Sequence, residues 1–163
     1  MSATDEFLAN NARYAAAFPA AVLPPAPASE VAVVACMDAR VNVYALLGLS
    51  DGEAHVIRNA GGVITDDVIR SLAISQRMLG TREIMLIHHT GCGMLTFTDD
   101  EFRQAMAAET GQAPAWAAGT FTDTAGDVRE SVARLRASPF VPYTDAIRGF
   151  IYDVGTGRLG EVC

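Results

Sequence analysis

The chain has 163 residues, half of them apolar, with a net charge of −7 and a pI near 4.8. That is the length of one ordinary domain with room for a substantial core. An acidic chain without a basic stripe excludes nucleic acid as a partner, because phosphate neutralisation needs positive charge. No apolar run reaches the roughly 20 residues of a membrane span, and Met1 to Glu6 has acids where a secretory signal carries positive charge, so no membrane partner and a cytoplasmic location are expected.

Residues 5–17 read as a helix, with Thr4 as cap, Asp5 and Glu6 in the first turn, and Phe7, Leu8, Tyr14 and Ala15 on an apolar side. Leu23-Pro24-Pro25-Ala26-Pro27 then makes a stiff, extended connection. Residues 1–30 thus form a helix and a proline-rich arm attached to a single domain spanning the chain. Such a helix has no core of its own and must lie on its own domain or on a second subunit.

Val31 to Cys36 and Glu83 to His88 are continuous apolar runs of strand length, and Ala54 to Arg58 is a third candidate strand. Runs apolar on both faces suit a parallel sheet covered by helices. In Thr65 to Leu79, residues Val68, Leu72, Ser75 and Leu79 recur at helical spacing, with Asp66 and Asp67 in the first turn and Gly80 as the stop. Residues 99–108 predict another helix. Residues 109–126, rich in Ala, Gly and Thr, read as a loop that Trp116 and Phe121 can anchor. From Asp127 to Arg136, Val128, Val132 and Leu135 share a face, and Glu130–Arg134 has i,i+4 spacing. Arg148 to Asp153 and Leu159 to Val162 read as strands joined through Gly155-Thr156-Gly157. The alternation predicts an α/β fold: a mostly parallel sheet flanked by helices, with an antiparallel strand at its end.

The chemistry stands at strand ends. Cys36-Met37-Asp38-Ala39-Arg40 closes the first strand, and His89-Thr90-Gly91-Cys92 follows the third. Two thiolates and an imidazole are a donor set that Zn²⁺ prefers. Three protein ligands leave a tetrahedral ion one open position, the mark of a catalytic rather than a structural site. In a parallel sheet, ligands bind beyond the carboxyl ends of strands, so donors distant in sequence can meet there. Gly91 and Gly93 would let the backbone approach the ion, and backbone amides would help keep the Cys92 thiolate ionised. His88 and His89 point to opposite faces of an extended strand. The tight H-x-x-C turn selects His89 as the ligand and leaves His88, like His55, structural. Taken alone, Asp38–Arg40 reads as a loop salt bridge. Beside a metal ligand it reads as a carboxylate held ionised by a bidentate guanidinium and able to orient a nucleophilic oxygen.

Cys36-Met37-Asp38-Ala39-Arg40, Arg58-Asn59-Ala60-Gly61-Gly62 and His89-Thr90-Gly91-Cys92-Gly93, in that order, resemble the β-class carbonic anhydrases, most closely the small prokaryotic type. The resemblance runs from about Val31 to the C-terminus. Ala39 departs from it, since Ser is commoner there. It implies a five-stranded sheet (four parallel strands plus an antiparallel edge strand), Zn²⁺ held by Cys36, His89 and Cys92, and a catalytic dyad of Asp38 and Arg40. It also implies reversible hydration of CO₂ to bicarbonate and a proton, and a homodimer or higher homo-oligomer in which the N-terminal helix crosses to the partner. In some members an Asp closes onto the metal beside an anion pocket that uses a Trp three residues before the first Cys. Here that position is Val33, so an open site is expected, with Asp38 paired to Arg40. Alternatives are a zinc-binding scaffold or regulatory protein on the same fold, or a hydrolase of a CO₂-like substrate such as carbon disulfide.

Overall fold

The computed structural model describes residues 2–19 and 22–163. Its centre is a five-stranded sheet in the order β2-β1-β3-β4-β5. The strands are β1 (Val31–Cys36), β2 (Ala54–Asn59), β3 (Glu83–His89), β4 (Ile147–Tyr152) and β5 (Leu159–Glu161). The first four pair in parallel, and β5 pairs antiparallel to β4 at the edge. The expected mixed sheet is thus the observed one. From β1 the chain steps to β2 on one side and then returns to β3 on the other. In sheets of this kind such a reversal is where ligands bind, beyond the carboxyl ends of the strands, here β1 and β3.

The alternation of side chains along a strand divides the core into two layers. Ala32 and Val34 of β1 join Ile84 and Leu86 of β3 on one face. Val68 and Leu72 of α3 (Asp66–Leu79) and Val132 and Leu135 of α5 (Thr124–Ala137) cover that face. Val33 and Ala35 point the other way, to Ile87, Phe150 and the residues around α2 (Val43–Leu47). Both faces of β1 are therefore sealed, as its unbroken apolar run requires.

The helices largely follow their signals. Thr65 caps α3 through Val68 N–H, and Gly80 ends it in the left-handed region. Thr98 and Glu101 form a reciprocal capping box on α4 (Asp99–Thr110). The first helix, α1 (Ala3–Ala16), is capped by Ser2 rather than Thr4, because Ser2 and Asp5 satisfy each other's backbone N–H. It has no buried residue; Tyr14 tethers it through a 3.3 Å hydrogen bond to Asp51. Helix α2 carried no periodic signal at its length, yet Asn42 caps it and Gly48 stops it.

Other boundaries moved. β3 runs on to include His89, and α5 begins at Thr124 because Asp123 caps it. In the preceding loop Phe121 is buried, whereas Trp116 is exposed, with its ring 5.9 Å from that of Phe102 and tilted to it. Arg134 bonds Asp66 of α3 at 2.8 Å rather than Glu130, tying two helices together instead of stapling its own. Leu72 is fully buried while Leu79 is only partly so. Among the described residues no helix is long and apolar enough to cross a membrane.

Leu72, in the middle of α3, is fully buried in the layer that holds Ala32, Val34, Ile84 and Leu86. Leu72→Ala is expected to cost about 2–5 kcal/mol through lost burial and a residual cavity, measured as the fall in unfolding free energy in urea.

Candidate metal centre

Cys36 is the last residue of β1, His89 the last of β3, and Cys92 lies in the turn that follows. All three are buried, and their donor atoms lie within 4.8 Å of one another. The two Sγ atoms are 4.0 Å apart, too far for a disulfide. Strands β1 and β3 are hydrogen-bonded neighbours, with Ala35 opposite Ile87, so their ends open onto one place.

The imidazole is already set for a ligand. His89 Nδ1 lies 3.1 Å from the Thr90 carbonyl, a contact that assigns the proton to Nδ1. Nε2 is then a lone-pair donor, and it is buried without a hydrogen-bond partner. The Asp38 carboxylate, at 3.6 Å, is beyond hydrogen-bond range of that atom. Burial lowers the His89 pKa and so keeps the ring neutral. A buried, unpaired acceptor facing two thiols is costly unless something binds it. The soft S, S, N donor set fits Zn²⁺.

At Cys92 two effects oppose each other. The Met94 backbone N–H does favour its thiolate, but burial outweighs that bond, and the thiol is pushed up to about 11. A divalent cation would reverse this balance, since its charge favours the deprotonated sulfur. Of the two glycines beside Cys92, Gly91 adopts a left-handed conformation at φ 63°, whereas Gly93 does not.

Asp38 and Arg40 form the expected pair. Arg40 Nε donates to Asp38 Oδ1 at 2.9 Å and its terminal nitrogen to Oδ2 at 2.6 Å, while the Arg40 amide adds a third bond at 2.9 Å to Oδ1. These bonds hold the Asp38 carboxyl well below the usual carboxylate range. The same guanidinium donates to the Gly91 carbonyl at 2.9 Å and so bridges the two motifs. His88 points away: its Nε2 meets Asp127 at 2.6 Å and its ring lies against Phe121, the structural role expected of it. His55 likewise bonds Ser75 at 2.7 Å.

The segment Arg58 to Gly62 is one of the three motifs that carry the resemblance. It proves to be the seat of the Cys36 loop. The parallel register sets Arg58 opposite Ala35 and Asn59 opposite Cys36. Gly62 has φ +72°, and a Cβ there would lie 2.8 Å from the Cys36 nitrogen. Its two adjacent glycines were the available signal, but what they approach depends on strand order.

Residues 31–159 match the family model described as carbonic anhydrase. The chain is 58% identical over 162 residues to "Beta-carbonic anhydrase 1" of Mycobacterium tuberculosis (strain ATCC 25618 / H37Rv), covering 99% of each. It is 32% identical over 151 residues to a "Carbon disulfide hydrolase" of Acidianus sp. (strain A1-3), covering 78% of this chain and 74% of that one. Among solved structures, it is similar to the carbonic anhydrase of Streptococcus mutans at a TM-score of 0.94 and 46% identity, covering 100% of this chain and 99% of that one.

Because Gly62 combines a left-handed φ with contact against the Cys36 backbone, Gly62→Ala is expected to destabilise the fold by about 1–3 kcal/mol. Gly93→Ala, at a position with open space and no positive φ, is expected to be near neutral. Denaturant midpoints of the two variants check the contrast.

Proposed function

This chain belongs to the β-carbonic anhydrase family, and on that premise we propose that it holds Zn²⁺ through Cys36, His89 and Cys92 and reversibly hydrates CO₂ to bicarbonate and a proton. One observation carries the reading: three buried donors converge, with His89 Nε2 unpaired, beside a carboxylate that Arg40 keeps ionised. Zinc bound there would supply a Lewis acid that lowers the pKa of water.

The chain's own residues do the rest. Asp38 is an acceptor only, so it can accept a hydrogen bond from an attacking O–H and leave an oxygen lone pair turned toward the CO₂ carbon. Arg40 fixes both carboxylate oxygens by a fork and fixes itself on Gly91 O, so the acceptor keeps its direction. Ala60, Val63, Met94, Phe97, Ala118 and Phe121 pack with Cys36 and Cys92 into an apolar cluster. That wall suits a small, uncharged substrate and limits competing water.

A stopped-flow CO₂ hydration assay on zinc-loaded protein tests the function. Asp38→Asn is expected to keep about one zinc per chain and lose hydration activity by about 10²-fold, the scale of a mispositioned reacting group. Cys92→Ala is expected to lose the metal itself, because two remaining donors do not replace a thiolate. Elemental analysis beside the rates separates the two. Zinc lost from Asp38→Asn, or full activity in Cys92→Ala, would contradict these roles. A second reading, hydrolysis of carbon disulfide, draws on the similarity to carbon disulfide hydrolases; release of hydrogen sulfide from CS₂ by the same protein tests it.

The assembly we propose is a homodimer or higher homo-oligomer in which α1 lies on the partner. Phe7, Leu8 and Tyr14 are all more than half exposed along a helix with no buried residue. A second copy of the chain gives that apolar side a surface. Sedimentation is expected to return at least a dimer, with Leu8→Asp shifted toward monomer. A compact monomer for the unmodified chain refutes the assembly.

A further inference from the structure

Arg58 stands at the end of β2 with its guanidinium over the loop that leaves β1. Its Nε and one terminal nitrogen donate to the Cys36 carbonyl at 3.0 and 2.9 Å, and that terminal nitrogen also reaches the Asp38 carbonyl at 2.7 Å. Its hydrogen-bond partners among the described residues are thus backbone oxygens, not a carboxylate. The two carbonyls flank Met37. One rigid fork therefore spans the stretch of chain that separates the Cys36 thiol from the Asp38 carboxylate.

Neighbouring contacts act in the same sense. The Met37 N–H donates to the Asn59 carbonyl at 2.8 Å, and Gly62 packs directly behind the Cys36 amide. On the far side of the loop, Arg40 anchors to Gly91. The loop is thus held from β2 by one arginine and from the β3 turn by another. A charged donor holds a carbonyl about twice as firmly as a neutral one. A lysine in place of Arg58 would keep the charge but has no planar fork to bridge two carbonyls.

We propose that Arg58 is a positioning residue: it clamps the backbone of Cys36 and Asp38 so that the first thiol and the carboxylate keep their mutual placement. Its catalytic consequence rests on the zinc hydratase reading, but the clamp itself does not. The test therefore begins with metal-free protein. Alkylation by iodoacetamide is followed separately at Cys36 and Cys92 by peptide mass spectrometry, in the parent chain, Arg58→Lys and Arg58→Ala.

Cys36 is expected to react about tenfold faster in both variants, as the loss of a charge-assisted hydrogen bond implies, with Cys92 unchanged. Zinc competition against a chelator is then expected to show affinity weakened by about 10- to 100-fold, with kcat lowered and KM unchanged in the zinc-loaded enzyme. An unchanged Cys36 rate overturns the proposal. So does equal acceleration of Cys36 and Cys92, which marks general loosening. If Arg58→Ala does not fold, Arg58→Lys decides by the same comparison. A parent chain without zinc or hydration activity would refute the functional reading, while the alkylation contrast still decides the clamp.

Discussion

Parallel pairing of β1 with β3 is the constraint on which the site depends. It ends both strands on one edge of the sheet and sets the Cys36 thiol beside the His89-Cys92 turn. A slip of one residue would send every side chain of β1 to the opposite face. Val33 and Val34 would exchange layers, and Cys36 would turn away from His89. Burial on both faces of β1 guards against that slip, since each layer is already filled by Leu72, Leu135 and Leu86 on one side and Ile87 and Phe150 on the other. The core and the candidate centre are therefore specified by one register.

Electrostatics divides the site into two kinds of group. Asp38 is ionised in advance, because Arg40 satisfies both of its oxygens. The buried donors are biased the other way: Cys92 toward its thiol and His89 toward its neutral ring. A neutral imidazole is already a metal ligand, whereas the thiol must release a proton as the cation arrives. The proposed zinc site would therefore exchange that proton for its ion, while the Asp38 carboxylate beside it stays charged. Arg40 joins the two kinds of group mechanically, since it also holds the Gly91 carbonyl in the turn that carries Cys92.

The polar groups inside the sheet show how closely structural and functional roles can lie. His88 and His89 are consecutive and equally buried, yet the two-residue period of a strand sends one to Asp127 and Phe121 and the other to the thiols. Arg40 and Arg58 make a similar pair. One orders a carboxylate and the other a backbone, and both act on the same few residues after β1.

Much of this was legible in the chain itself. Continuous apolar runs identified β1 and β3, helical spacing identified α3, and Asp66, Asp67 and Gly80 marked where α3 begins and ends. Donor chemistry at strand ends singled out Cys36, His89 and Cys92, and the spacing of Asp38 and Arg40 allowed their fork. These properties belong to segments of a few residues, so the sequence alone determines them. It did not reveal α2, which is too short to show a period, or the Arg134–Asp66 pair, whose partners lie on different helices. Nor did it reveal that burial outweighs the backbone amide at Cys92, because burial belongs to the packed domain. Only the tertiary structure decided that Arg58 would lie over the carbonyls of Cys36 and Asp38 and that Gly62 would back the same loop. Those contacts depend on which strands are neighbours and in what register, and no single segment of a chain carries that information.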